Sequence, residues 1–130
     1  VGAATDFRIC IEPLCKATQN NFLYHAAEAR QMVSEINLPN VGIILDTYSG
    51  LQEEADFAAE IRATGDRLFH FHCNDVNGRA PGWGEVNFVP LMQALHDINF
   101  QHYASIEVFD MTLDAVEHCK KGIETLRAAQ

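Results

Sequence analysis

The chain has 130 residues, 48% of them hydrophobic and 21% charged, with a formal net charge of −9. That length supports one domain with a real core and excludes two, and the composition excludes disorder; the acidic balance with scattered Lys and Arg excludes a nucleic-acid surface, which needs clustered cations to displace counterions. No apolar run approaches the ~20 residues needed to cross a bilayer, and no charged-then-apolar leader opens the chain, so neither membrane insertion nor secretion is expected.

The first predicted element is a short apolar strand, Arg8 to Glu12, ending in a carboxylate. From about Asn20 to Ile36, Phe22, Ala26, Ala29, Val33 and Ile36 recur at helical spacing, with Asn20 or Asn21 as cap, and Asn37-Leu38-Pro39-Asn40 stops the helix. The second strand, Val41 to Asp46, is almost wholly apolar, as a parallel strand covered on both faces should be. Thr47 to Gly50 reads as a loop. Leu51 to Thr64 follows as a second helix, with Leu51, Ala55, Ala58, Ala59 and Ile61 inward, Gln52, Glu53 and Glu54 on a solvated face, and Gly65 closing it.

The third strand, Arg67 to Cys73, alternates Phe69 and Phe71 with His70 and His72, which puts both imidazoles on one face and both phenyl rings on the other. For this segment alone, core histidines held by hydrogen bonds and functional histidines are both open readings. The loop from Asn74 to about Asn87 carries Gly78, Pro81, Gly82 and Gly84 around the only tryptophan, Trp83, and fits either a binding loop or a connector with Trp83 capping the core. Asn87 caps a third helix, Phe88 to Ile98, with Pro90 in its first turn. A fourth strand, Tyr103 to Phe109, and a fourth helix, Leu113 to Ala128, complete the chain, the helix presenting Ala115, Val116, Cys119, Ile123 and Leu126 on its apolar face.

Strand and helix thus alternate four times, which predicts an α/β fold with one parallel sheet and right-handed crossovers. Glu12, Asp46, His72 and Glu107 follow one another at intervals of about one strand-plus-helix unit, so they recur at the same end of successive strands, the active face of open α/β sheets and closed barrels alike. Three carboxylates and an imidazole at one mouth repel one another unless a cation sits between them. An oxygen-rich set with one histidine suits Mn²⁺, Mg²⁺, Co²⁺ or Fe²⁺ better than a structural zinc. Cys10, Cys15, Cys73 and Cys119 form no C-x-x-C pair and read as reduced thiols of a cytoplasmic protein; Cys15 and Cys73 either border a pocket or are buried and inert.

Ile11-Glu12-Pro13-Leu14, Leu45-Asp46-Thr47-Tyr48, His70-Phe71-His72 followed by Pro81-Gly82-Trp83-Gly84, and Ile106-Glu107-Val108-Phe109 resemble, in order, the second-half motifs of the sugar phosphate isomerase/epimerase family. This xylose-isomerase-like TIM-barrel group includes ketose 3-epimerases, hydroxypyruvate isomerase and inosose dehydratase. The resemblance covers nearly the whole chain. It implies that residues 1–130 form a single domain, the C-terminal half of a (β/α)₈ barrel, completed by a missing N-terminal half or by a second copy in a homodimer. It further implies Glu12, Asp46, His72 and Glu107 as ligands of a divalent metal, Mn²⁺ foremost with Mg²⁺, Co²⁺, Fe²⁺ or Zn²⁺ as alternatives. Glu12 and Glu107 would carry protons through a metal-stabilised enediolate, and His70, Arg79 and Trp83 would bind a small sugar or keto-polyol.

Three departures accompany the match. Thr18 and Ser49 stand where ketose 3-epimerases carry a substrate-binding glutamate and a histidine, and Arg79 lies one place beyond their substrate-binding arginine. The expected activity is therefore sugar or polyol isomerisation in the broad sense, with a metal-dependent lyase of the inosose dehydratase type, or a non-catalytic half-barrel module, as alternatives.

Overall fold

The computed structural model describes residues 7–19, 21–110, 112 and 114–130. Four parallel strands, β1 (Ile9–Ile11), β2 (Val41–Asp46), β3 (Leu68–Cys73) and β4 (Tyr103–Ile106), form one sheet in sequence order. The helices between and after them are α1 (Ala26–Ile36), α2 (Thr47–Glu53), α3 (Phe57–Thr64), α4 (Val89–Asp97) and α5 (Ala115–Ala128). Among the described residues no helix is long and apolar enough to cross a membrane.

The core lies on the helix side of the sheet. Ala26, Ala29 and Val33 of α1, Phe57 and Ile61 of α3, and Leu91, Ala94 and Leu95 of α4 are buried together with Ile43 and Leu45 of β2 and Leu68, Phe71 and Cys73 of β3. The rings of Phe57 and Phe71 stack with centroids 6.2 Å apart. Burying an apolar side chain of this size contributes roughly 1.5–3 kcal/mol, so these aromatic and aliphatic pairs outweigh any single surface contact.

Several boundaries differ from the sequence expectation, each for a local reason. The first long helix starts at Ala26, where the Glu28 side chain accepts from the Tyr24 and His25 amides, at 2.8 and 2.9 Å. Asn20 lies outside the described residues, and Asn21 caps nothing. Thr47 to Gly50 is not a loop but the start of α2, because the Asp46 carboxylate accepts from Ser49 N at 2.7 Å and acts as an N-cap. The single helix expected over 51–64 is two, since Asp56 caps a second start by accepting from Ala59 N at 2.9 Å.

Glu53 and Glu54 consequently fall at the end of α2 and are not a merely solvated face. Glu53 accepts from Lys16 N at 2.9 Å, and Glu54 accepts from Ala26 N at 2.7 Å, satisfying a free amide at the start of α1. Between Asn87 and α4, the Asn87 side chain accepts from Val89 N at 3.1 Å, although the residue preceding the helix is Phe88.

Two larger corrections concern faces. The β2–β3 register shifts between Ile43 and Ile44, so that Phe69 is the extra residue of a bulge. Its ring occupies the space into which a Cβ on Gly42 would project, and meets the Arg8 guanidinium and the His102 ring. Phe69 and Phe71 therefore do not share a face. The second correction is α5. Its Leu113 start lies outside the described residues; Asp114 caps it by accepting from Val116 N and Glu117 N. What it buries is His118 and Gly122, the latter close against Ile106, Pro81 and Ala80; of the expected apolar face only Leu126 packs half-buried against the core, whereas the rest is outward, with Val116 at 58% exposure and Ala115, Cys119 and Ile123 also exposed.

Candidate metal centre

The register brings four polar side chains to one end of the sheet. Asp46 pairs directly with His72, and His72 pairs with Ser105, two residues before Glu107. Glu12 follows Ile11, which pairs with Ile43, so Glu12 continues β1 on the face that carries Ile44 and Asp46. Glu107 N still donates to Cys73 O at 3.2 Å, extending the β3–β4 pairing to the site. Alternation along the paired strands thus points all four groups to the side opposite the helices, Glu107 through its two-residue offset from Ser105.

Glu12, Asp46 and His72 each offer a ligand atom within 4.8 Å of the others. Glu107 joins them through His72: its Oε2 lies 3.3 Å from His72 Nδ1, with Glu12 Oε1 at 3.5 Å on the other side. These are ion-pair distances. Nδ1 itself is buried and makes no hydrogen bond among the described residues, the condition of a nitrogen whose partner would be a cation.

The electrostatics agree. Burial pushes the Asp46 carboxyl upward against the bonds from Ser49 N and Asn74, with the Glu12 charge adding to the rise. Burial also raises Glu107, and the charges of Asp46 and Glu12 raise it further against His72. The Glu12 carboxylate foremost, then Glu107 and Asp46, raises His72, while burial opposes. A divalent cation would relieve this crowding of negative charge, and carboxylate oxygens with one imidazole are a donor set it accepts.

The remaining predicted site residues are placed around this centre. His70 lies below His72 on the same face, ring centroids 5.1 Å apart, with Nε2 2.7 Å from Ser105 Oγ. Arg79 donates from Nε to Asp110 at 2.6 Å, and Trp83 packs on α5, beneath Lys121 Nζ at 4.3 Å and beside His118. The partners of these last two thus belong to the segment after β4 and to α5. Ser49 is buried in α2, and Thr18 sits in a 3₁₀ turn, Lys16–Thr18. Burial pushes the Cys73 thiol up to about 12, with the Asp46 charge adding, so this buried thiol is inert rather than part of a pocket; Cys15 is likewise buried.

Sequence reasoning missed two residues. Asn74 is fully buried and its Nδ2 donates to Asp46 Oδ2 at 3.0 Å. Asp75, also fully buried, accepts from Gly82, Gly84 and Val86 amides at 3.3, 3.0 and 3.2 Å, folding the long loop around one carboxylate. A Cβ on Gly84 would collide with that carboxylate, which is the reason for the glycine. The only available signal was an Asn-Asp pair directly after the histidine strand and before a glycine-rich stretch.

A parallel α/β sheet with acidic and histidine side chains converging beyond its strand ends has the architecture of half a TIM-type barrel with a candidate metal site. Comparison with known proteins makes this specific: the model of the xylose isomerase-like TIM barrel family matches residues 2–129, and the chain belongs to that family. It is 43% identical over 84 residues to a D-psicose 3-epimerase of Enterocloster bolteae (65% of this chain, 28% of that protein) and 36% identical over 104 residues to one of Agrobacterium fabrum (80% and 36%). A crystal structure of D-psicose 3-epimerase in the presence of D-fructose superposes with a TM-score of 0.77 at 32% identity, covering 94% of this chain and 46% of that one. The chain thus spans about a third of the curated relatives it matches and about half of the solved chain.

Proposed function

We propose that this chain is the C-terminal half of a divalent-metal-dependent sugar epimerase or isomerase acting on a small ketose or keto-polyol. The observation that carries the reading is the meeting of Glu12, Asp46 and His72 within 4.8 Å, with Glu107 against the same His72 nitrogen. Glu12, Asp46, His72 and Glu107 would hold the metal, Mn²⁺ before Mg²⁺, Co²⁺, Fe²⁺ or Zn²⁺. When bound, such a cation polarises a carbonyl and stabilises negative charge on neighbouring oxygens.

The proton chemistry falls to Glu12 and Glu107. They come from the two outer strands and flank His72 from either side, so one can take a carbon-bound proton while the other returns one on the opposite face of a substrate lying between them. His70 would line the floor of the substrate site, and Arg79, held by Asp110, together with Trp83 would form its rim.

The other half of the barrel is supplied by an N-terminal (β/α)₄ segment or by a second copy of the chain. The coverage of less than half of each compared protein supports this, as do the large hydrophobic residues exposed on both outer strands and α5. We place the protein in the cytoplasm on the strength of its four free thiols. The test is exchange of a carbon-bound ketose proton in deuterated water, followed by NMR with and without Mn²⁺. Exchange that needs the metal and disappears in Glu107→Gln supports the epimerase; no exchange over a panel of ketoses, with metal bound, favours a non-catalytic half-barrel, which the partial coverage also fits.

A further inference from the structure

Asn74 is fully buried, and its side-chain amide is engaged from both ends. On one side Oδ1 accepts from Tyr48 N at 2.7 Å and stands 2.7 Å from Thr47 Oγ1. On the other, Nδ2 donates to Asp46 Oδ2 at 3.0 Å and to Glu107 Oε2 at 3.5 Å. Two donors facing one end and two carboxylates facing the other fix the orientation of the amide. The Asn74 main chain is held by the same threonine: Thr47 Oγ1 accepts from Asn74 N at 2.7 Å and lies 2.6 Å from Asn74 O, its single proton serving one of the two Asn74 oxygens at a time.

We propose that Asn74 is a positioning residue of the metal centre, bridging the carboxylates of Asp46 and Glu107 so that two ligands from strands separated by β3 keep a fixed separation. The proposal rests on the metal-centre reading above. Asp46 ends β2 and Glu107 follows β4, and these strands do not pair with each other. Two carboxylates so placed repel, and Glu107, the more exposed of them, would turn toward water. An amide is the neutral group that can hand one proton to each anion while its oxygen is tied to rigid backbone. Groups that orient ligands in this way typically affect metal affinity by about 10–100-fold.

The experiment uses the full chain, loaded with Co²⁺, whose visible d–d bands report coordination geometry, and compares wild type with Asn74→Ala and Asn74→Asp. Asn74→Ala removes the bridge; Asn74→Asp keeps an oxygen for Tyr48 and Thr47 but replaces the bridging donor with an acceptor. Both variants are expected to shift the d–d bands, and Asn74→Ala to bind Co²⁺ about tenfold or more weaklier by titration, with far-UV circular dichroism unchanged. Wild-type bands and affinity in the folded variants would overturn the bridge while leaving the metal centre intact. Failure of the wild type itself to bind Co²⁺ would overturn the metal centre, and the bridge with it.

Discussion

The two inner strands and the two outer ones make an instructive pair. β2 is buried along its whole length, and the side chains of β3 that face the helices are buried under α3 and α4. β1 and β4 are largely open: Phe7, just before β1, is 75% exposed and Tyr103, the first residue of β4, is 83% exposed. Phe22 ahead of α1 and Val116 on α5 are exposed in the same way, at 67% and 58%. Beside β4 a groove of about 610 Å³ opens between α4 and the end of α5, lined by Val89, Met92, Leu95, Phe100, His102 and Ala129 among others. Among the described residues the inner strands are covered by helices, while the flanks expose large apolar side chains, the pattern expected of half of a closed structure.

The largest expected effect lies at the centre. Phe71→Ala should cost about 3–5 kcal/mol in urea unfolding, because a fully buried ring stacked on Phe57 leaves a cavity, whereas Tyr103→Ala should change the isolated chain by no more than about 0.5 kcal/mol. Equal losses at the two positions would erase the distinction between wall and flank. Next comes Asp75→Ala, which strands three loop amides and should cost about 1–3 kcal/mol, with hydrogen exchange accelerating at Gly82, Gly84 and Val86.

Val116→Glu tests the flank directly. It should leave the unfolding midpoint of the chain nearly unchanged, yet abolish any association with a second copy or an N-terminal half seen by sedimentation. The smallest effect concerns the rim. The Thr112 hydroxyl and then the Arg79 guanidinium hold the Asp110 carboxyl well below the usual carboxylate range. Because the folded value is depressed, this contribution is fully present above the ordinary carboxylate range and is lost as pH falls through it toward the folded value. In Arg79→Met, carbon-detected NMR should find Asp110 titrating closer to an ordinary aspartate, and the acid-side loss of stability should shrink; an unmoved titration would remove Arg79 from the account.

Much of this was legible in the sequence. Strand order, parallel topology and the placing of Glu12, Asp46, His72 and Glu107 at one end follow from hydrophobic runs that each stop at a polar residue, a pattern that long-range packing does not alter. The split of α2 from α3 was hidden because Asp46 and Asp56 act as caps, and a cap competes with a loop or a continuous helix on nearly equal local terms. The facing of Phe69 depended on a bulge between two strands, which no single-strand pattern encodes. The exposed stripe of α5 read correctly as apolar; what periodicity alone cannot supply is whether a partner surface is present to cover it. Asn74 escaped because its role is set by two carboxylates remote in sequence.

The most direct test of the central claim is a titration of the chain with Mn²⁺, followed by electron paramagnetic resonance of the free ion, in wild type and in His72→Ala. Convergence of the four side chains on one cation predicts about one tightly held Mn²⁺ per chain and its loss in His72→Ala, with circular dichroism unchanged. Equal uptake by both proteins, or none by the folded wild type, would contradict it.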